Sequence, residues 1–269
     1  MNPGNLVKHS RRLGNLWGLF VARHELTDQQ WARLEPLLPG RRGGHGGVAI
    51  DNRNFINAVL YLGKTGAAWR DLPTSFGKWD TVYHRFNEWC KKGVWQRLFD
   101  AVQDPDLEWL MLDSSVIRAH LHAAGMNTAA DDQSLGYSRG GFGTKIHLAV
   151  DSLGNPVSIH LSPGQDADVT HAETLLGDLK PEAVLGDKGY DSDELADAIE
   201  ARGAAVVIPP KKNRVKPREY DKVLYKERNK VERCVGLFKQ FRRVATRYEK
   251  TARNFLGLVC FVGTTIWLR

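Results

Sequence analysis

Near residue 108 the hydrophobic period of this chain changes, and that change limits the folds open to it. Before it, apolar residues recur at helical spacing: Trp31, Leu34 and Leu38; Phe55, Val59 and Leu62; then Trp79, Tyr83, Phe86, Trp89, Trp95 and Phe99. After it, short apolar runs alternate with helical ones. "EWLMLD" reads as a strand. "GTKIHLAVD", the turn "SLGNP" and "VSIHLSPG" read as a hairpin. "DVTHAETLLGDL" is helical, "EAVLGDKGY" a strand, "SDELADAIEARG" a helix capped by Ser192 and closed by Gly203, and "AAVVIPP" a strand. A basic loop, "KKNRVKPREYDK", leads into a last amphipathic helix, "YKERNKVERCVGLFK". The order describes an α/β domain behind a small all-α one.

The divisions follow. Residues 1–22 read as an ordered arm or an upstream extension of the true start. Residues 23–104 read as a helical, DNA-binding-like domain, and residues 105–269 as the α/β domain. The first helix opens at Thr27, with Gln30 at the capping-box position. The Gly/Arg stretch "GRRGGHGG" reads as a loop that could meet phosphate or simply link helices. A helix-turn-helix-like binder is compatible with Arg85, Lys91, Lys92 and Arg97 on the outside of the helices around "KKG". The terminal "FLGLVCFVGTTIWL" is too short and too interrupted for a membrane span, so it reads as a buried helix or strand.

Charge narrows the partners. The 269 residues carry a formal net charge of +7, which fits a polyanion such as nucleic acid, or merely a basic surface. Cys90, Cys234 and Cys260 are odd in number and far apart. They suggest neither a disulfide framework nor structural zinc, and fit a reducing cytoplasm.

Three carboxylates stand at telling places. Asp113 is expected to end the first strand and Asp187 to end the fourth, where open α/β sheets gather ligands. Glu232 lies on the last amphipathic helix. At ~100° per residue, Tyr225, Arg228, Glu232 and Lys239 share a stripe roughly 60° wide. Val231, Val235, Phe238 and Phe241 are read as that helix's buried side. On the helix alone, a solvated face with Arg228 and Glu232 as an i,i+4 pair is the better account of the stripe. Carboxylates together suit hard cations such as Mg²⁺ or Mn²⁺. Two such ions can clamp the attacking and leaving oxygens of a phosphodiester.

The stretch Tyr225-x2-Arg228-x3-Glu232-x6-Lys239 resembles the Y-x2-R-x3-E-x6-K signature of bacterial insertion-sequence transposases. Asp113 in "LDSSVIRAH", the segment "GGFGTKIHLAVDSLGNP" and Asp187 in "LGDKGYDS" resemble that family's DDE catalytic domain. From about Arg23 onward the chain is similar to the insertion sequence five family. The resemblance implies a ribonuclease H-like mixed sheet flanked by helices. It implies that Asp113, Asp187 and Glu232 are catalytic and bind two Mg²⁺ ions, with Mn²⁺ able to substitute. It implies cleavage at transposon ends and transfer of the 3′-hydroxyl into target DNA, with Tyr225, Arg228 and Lys239 on phosphates. The partners would be terminal inverted repeats and target DNA, bound by a homodimer or larger assembly in the cytoplasm, with no membrane. Lys188, beside Asp187, and Lys211, Lys212 and Arg214 in the basic loop are further candidate DNA contacts, as is Lys145. Asp191 and Asp193 are expected to cap the next helix. His120 and His122 are a weak metal pair, and His147 and His171 read as packed or surface residues. A catalytically inactive DNA-binding remnant and a structure-selective nuclease are the alternatives.

Overall fold

The computed structural model describes residues 24–40, 51–123 and 133–269. The expected arm at residues 1–22 and most of the Gly/Arg loop lie outside these residues. The helical part begins with α1 (Asp28–Leu34), whose Thr27 side chain accepts from the Gln30 amide in the expected capping box. Helix α2 (Asn52–Thr65) is capped by Asp51 and ends at Gly66, which takes the left-handed conformation with φ 72°. Helices α3 (Trp79–Lys91) and α4 (Val94–Ala101) flank the "KKG" turn, where Gly93 has φ 63°.

The α/β part is one sheet. Its strands are β1 (Trp109–Ala119), β2 (Gly136–Ser138), β3 (Gly141–Val150), β4 (Pro156–Pro163), β5 (Ala183–Leu185), β6 (Ala205–Val207) and β7 (Thr246–Arg247). β4 pairs with β3 on the edge away from β1, giving the line β4-β3-β1-β5-β6, with β2 on that same edge of β3 and β7 beside β1. β1, β3 and β4 are antiparallel neighbours, while β5 and β6 run parallel to β1. In chain order the five long-path strands lie 3-2-1-4-5, which is the ribonuclease H-like arrangement. Helices α5 (Ala172–Leu176) and α6 (Asp193–Glu200) cover one face of the sheet. Helices α7 (Asn229–Lys239), α8 (Arg242–Ala245) and α9 (Ala252–Trp267) lie on the other.

Strand β1 is longer than the sequence suggests. It does not end at Asp113 but continues through "SSVIRA" to Ala119, held by β3 from Met111↔Val150 to Arg118↔Gly143. Ser114 and Ser115 look like turn formers, yet β-branched Val116 and Ile117 follow them, and the long hairpin strand supplies a complete ladder. On its other edge β1 pairs with β5 only over Trp109–Met111, and with β7 only at Arg118 and Ala119. Asp113 sits in the gap between them.

The apolar terminal segment is the helix α9, and it is the common floor of the molecule. Phe255, Leu258, Val259, Phe261 and Val262 are buried in a core that also holds Phe55, Phe86, Trp95 and Phe99 from the helical part and Val231 and Phe238 from α7. The two glycines that interrupt its apolar run are notches. A Cβ at Gly257 would meet Cys90 Sγ at 2.6 Å, and one at Gly263 would meet the Phe99 ring at 2.6 Å. The three cysteines are free and buried; burial raises the Cys90 and Cys234 thiols to about 12.

The basic loop has an anchor. Asp191 does not cap α6; Ser192 does, accepting from the Leu195 amide. The buried Asp191 carboxylate instead accepts from the Lys211 amide at 2.7 Å and from Arg214 at 2.8 Å, with Arg218 3.3 Å away. Asp193, in the first turn of α6, pairs with the same two arginines. A cap signal was present, but a buried carboxylate between two guanidiniums gains more from them than from a helix terminus.

Two outcomes follow from this packing. Gly263→Ala should lower stability by ~1–3 kcal/mol in urea unfolding, because overpacking against Phe99 outweighs the helix propensity gained. Asp191→Ala should speed tryptic nicking within residues 211–218 at least ~10-fold, the effect of about 1.4 kcal/mol of lost anchoring when cleavage tracks the open population.

Candidate active site

The site forms where β1 loses its neighbour on one edge. Side chains alternate along β1. Met111 belongs to the core under α7, while Leu110 and Leu112 belong to the core under α5 and α6. By parity Asp113 points toward α7 and Ser114 toward the opposite face. Helix α7 lies over β1 because Val231, Cys234 and Phe238 are buried. Val235 is only half-buried, and Phe241 lies past the helix end, buried in the turn before α8.

The polar stripe is not carried by one regular helix. Leu224–Arg228 forms a 3₁₀ turn, and α7 starts at Asn229 with Arg228 as its N-cap residue. The tighter 3₁₀ winding moves Tyr225 and Arg228 off the angles a continuous α-helix would assign. Arg228 is thereby brought to the carboxylates. One guanidinium nitrogen lies 2.9 Å from Glu232 Oε1 and another 3.5 Å from Asp113 Oδ2. The longer contact lacks hydrogen-bond geometry, so it is an ion pair only. Burial works to lower the Arg228 pKa, but Asp113, the Tyr225 hydroxyl and Glu232 outweigh it and raise it. The Glu232 carboxylate is 61% exposed. Lys239 is exposed at the far end of α7, seven residues or ~10 Å along the axis from Glu232.

Asp187 follows β5 by two residues and turns into a 3₁₀ helix at Lys188–Tyr190, its side chain accepting from the Gly189 amide at 2.7 Å. Lys188 is exposed beside it. Burial raises the Asp113 pKa; Arg228 opposes this, and Asp187 and Glu232 add to it. Asp113 therefore feels both of the other carboxylates. Tyr190 is buried among them, its hydroxyl without a hydrogen-bond partner among the described residues, and its pKa is raised by burial and by Asp168, Asp113 and Asp187.

Asp168 is the residue that sequence reasoning missed. It sits in the 3₁₀ turn before α5. It accepts from the Ser114 hydroxyl at 2.7 Å and pairs with Lys145 at 2.8 Å. A Cβ on Gly189 would stand 2.8 Å from Asp187 Oδ1 and 3.8 Å from Asp168 Oδ2, so this glycine leaves room where two carboxylates approach. Lys145, a candidate for DNA, is thus committed to Asp168 and to the Asp166 carbonyl. His147 is fully buried, bonded to Ser162 at 2.8 Å, and burial lowers its pKa to about 3. It stays neutral, so its 4.0 Å approach to Asp168 is no ion pair. The His120 and His122 rings meet edge to face at 4.4 Å, and the His120 ring lies tilted 4.9 Å from Tyr248. Of the loop candidates, Lys212 is exposed, Arg214 is held by Asp191 and Asp193, and the Lys211 ammonium donates to the Asp191 carbonyl.

A cation fits this donor set chemically. Asp113, Asp187 and Glu232 offer only hard oxygens, and Asp113 is a desolvated carboxylate among like charges. Among the described residues no three His, Cys, Asp or Glu side chains close on one point, and Arg228 contacts both Asp113 and Glu232. The exposed Glu232 is the member free to turn toward an ion.

Residues 105–260 match the family described as transposase DDE domain, and residues 26–99 match one described as putative transposase of IS4/5 family. A putative transposase for insertion sequence element IS6501 from Brucella ovis is 36% identical over 130 residues, which is 47% of this chain and 98% of the relative. The uncharacterized protein y4sN from Sinorhizobium fredii is 40% identical over 105 residues, 39% of this chain and 84% of the relative. A solved piggyBac transposase synaptic complex with hairpin DNA shows 14% identity and a TM-score of 0.40, covering 71% of this chain and 48% of that one. With a DDE-domain match over more than half its length, the chain belongs to the DDE transposase family, whose members depend on a divalent metal.

Proposed function

We propose that this protein is the transposase of an insertion sequence and that Asp113, Asp187 and Glu232 are its catalytic carboxylates. The observation that carries the assignment is Arg228 standing 3.5 Å from Asp113 and 2.9 Å from Glu232 at the unpaired edge of β1. The reaction has two parts. Water hydrolyses a phosphodiester at the transposon end and leaves a 3′-hydroxyl. That hydroxyl then attacks a target phosphodiester and displaces the neighbouring 3′-oxygen, so no ATP is consumed.

Asp113, Asp187 and Glu232 would hold two Mg²⁺ ions, or Mn²⁺ in their place, and the ions would supply Lewis-acid activation and charge neutralisation at the transferring oxygens. The chain's own groups position the DNA. Arg228 offers a planar fork that matches a phosphate, Tyr225 a hydroxyl donor beside it, and Lys239 a point charge two turns further on. Lys188 and Lys212 are exposed and add positive charge near the same strand ends. Lys211 and Arg214 shape the loop that carries Lys212. The helical unit that holds α1 to α4 reads the terminal repeats, and two copies of the chain bring two ends together.

The test is a cleavage and strand-transfer assay with Mg²⁺ on DNA carrying the sequences that flank the gene. Glu232→Gln and Asp187→Asn should each lower joining by more than ~100-fold, beyond the 10–100-fold typical of residues that only support metal ligands, with DNA binding retained. Binding without joining in the wild type would point to an inactive remnant; cutting of DNA that lacks the ends, with no joining, would point to a nuclease. Asp113→Asn separates chemistry from stability. Its raised pKa means that the folded state holds the Asp113 proton more tightly than the unfolded chain does. The ionised group therefore weakens the fold increasingly as pH rises toward and through that pKa. Asp113→Asn should abolish joining and raise Tm in EDTA at pH 7.5; a Tm lowered by several degrees would show that the Arg228 pair dominates.

A further inference from the structure

The two backbone amides that hold Asp113 and Asp187 share a neighbour. Asp113 Oδ1 accepts from the Ser114 amide at 2.9 Å, and Asp187 Oδ1 accepts from the Gly189 amide at 2.7 Å. Asp168 borders both donors. Its Oδ1 takes the Ser114 hydroxyl at 2.7 Å, and a methyl group on Gly189 would lie 3.8 Å from its Oδ2. One carboxylate thus lies between the strand residue that orients Asp113 and the turn that orients Asp187.

Asp168 is placed to support these residues rather than to bind an ion with them. Asp113 and Ser114 are neighbours on a strand, so their side chains leave opposite faces of the sheet. Asp168 meets Ser114 on the face covered by α5 and α6. Asp113 and Glu232 meet Arg228 on the α7 side. The charge of Asp168 is also already answered. The Lys145 ammonium lies 2.8 Å from its Oδ1, and the Lys145 side chain is only 12% exposed. The same ammonium donates to the Asp166 carbonyl at 2.6 Å. Lys145 therefore fixes both the carboxylate and the approach to the 3₁₀ turn that carries it, Asp168–His171.

We propose that Asp168 is a positioning residue, which sets the separation of Asp113 and Asp187 through Ser114 and the Gly189 turn. The proposal rests on the reading of those two aspartates as metal-binding carboxylates. Ligating carboxylates are held in place by hydrogen-bonded partners, and loss of such a partner typically weakens metal binding ~10–100-fold. A fixed separation matters most to a small ion that requires near-ideal octahedral geometry, as Mg²⁺ does. It matters less to Ca²⁺, which accepts more oxygens in flexible arrangements. Asp168 therefore acts on which cation the carboxylates prefer, without being one of the ligands.

The experiment is isothermal titration of the full chain, without DNA, with MgCl₂ and with CaCl₂. Asp168→Ala should weaken Mg²⁺ binding ~10–100-fold and Ca²⁺ binding less than ~3-fold. Ser114→Ala keeps the amide on Asp113 and removes only the hydroxyl link. It should show a smaller loss, again selective for Mg²⁺. The double variant should bind Mg²⁺ no more weakly than Asp168→Ala, because the two residues act along one path. Equal losses of both ions in Asp168→Ala, unchanged Mg²⁺ affinity, or losses that add in the double variant would each overturn the proposal. A folded Ser114→Ala chain with no selective Mg²⁺ loss overturns it even where Asp168→Ala does not fold. Asp187→Asn tests the reading beneath. If the wild type binds neither cation, or Asp187→Asn binds Mg²⁺ as the wild type does, the carboxylate assignment fails and takes the proposal with it. If Asp187→Asn loses Mg²⁺ and Asp168→Ala does not, the proposal alone fails.

Discussion

Everything in this molecule is placed by the pairing of β1. Its antiparallel ladder with β3 runs from Met111 to Arg118, while its other edge is covered only at the two ends, by β5 and by β7. One continuous strand thus has a rigid side and an interrupted side. The rigid side fixes the direction of each side chain, because a slip of one residue would send Asp113 to the opposite face. The interrupted side leaves space at Asp113 for α7 to approach and for Asp187, just past β5, to come near.

Helix α9 supplies the second constraint. It is buried along nearly its whole length and touches α3, α4, α7 and β4. The helical region and the sheet consequently share one core rather than meeting across a wet boundary. A helix with glycines at positions 257 and 263 can take bulky neighbours close to its axis: the Cys90 sulfur and Trp95 at one notch, Phe99 at the other. Positioning of the helical unit relative to the carboxylates is then a matter of core packing, which resists small rotations.

Much of this was legible in the sequence because it rests on local signals. The capping box at Thr27, the hairpin turn after Asp151, the Ser192 cap and the strand–helix alternation are written in short range. The spacing of Arg228 and Glu232 showed that they can meet, and the structure has them 2.9 Å apart. What was not legible depends on distant partners. The extension of β1 past Asp113 needs β3, thirty residues on. The 3₁₀ turn at Leu224–Arg228 ends at the point where Arg228 finds Asp113 and Glu232, a tertiary gain that periodicity cannot reveal. Asp168 had no motif around it; its role comes from Ser114 and Lys145, more than twenty residues away in the chain. Arg214 looked like a free cation in a basic loop until Asp191 and Asp193 were seen beneath it.

The carboxylate cluster is a place where the fold works against itself. Asp113 is pulled from water into a setting with two other acids, and its acidity weakens accordingly. Such an arrangement is retained at functional sites because the same repulsion that costs stability favours any cation brought among the carboxylates. Arg228 already answers part of it, as the guanidinium these residues hold in this structure. Its position also sets its limit. Glu232 is exposed enough to turn away from Arg228, whereas Asp113, fixed in a strand, is not. A cation entering the cluster would therefore be met by Glu232, whose 2.9 Å pair with Arg228 is the contact able to open. One side chain answers both acids because it enters from the 3₁₀ turn rather than from the regular helix.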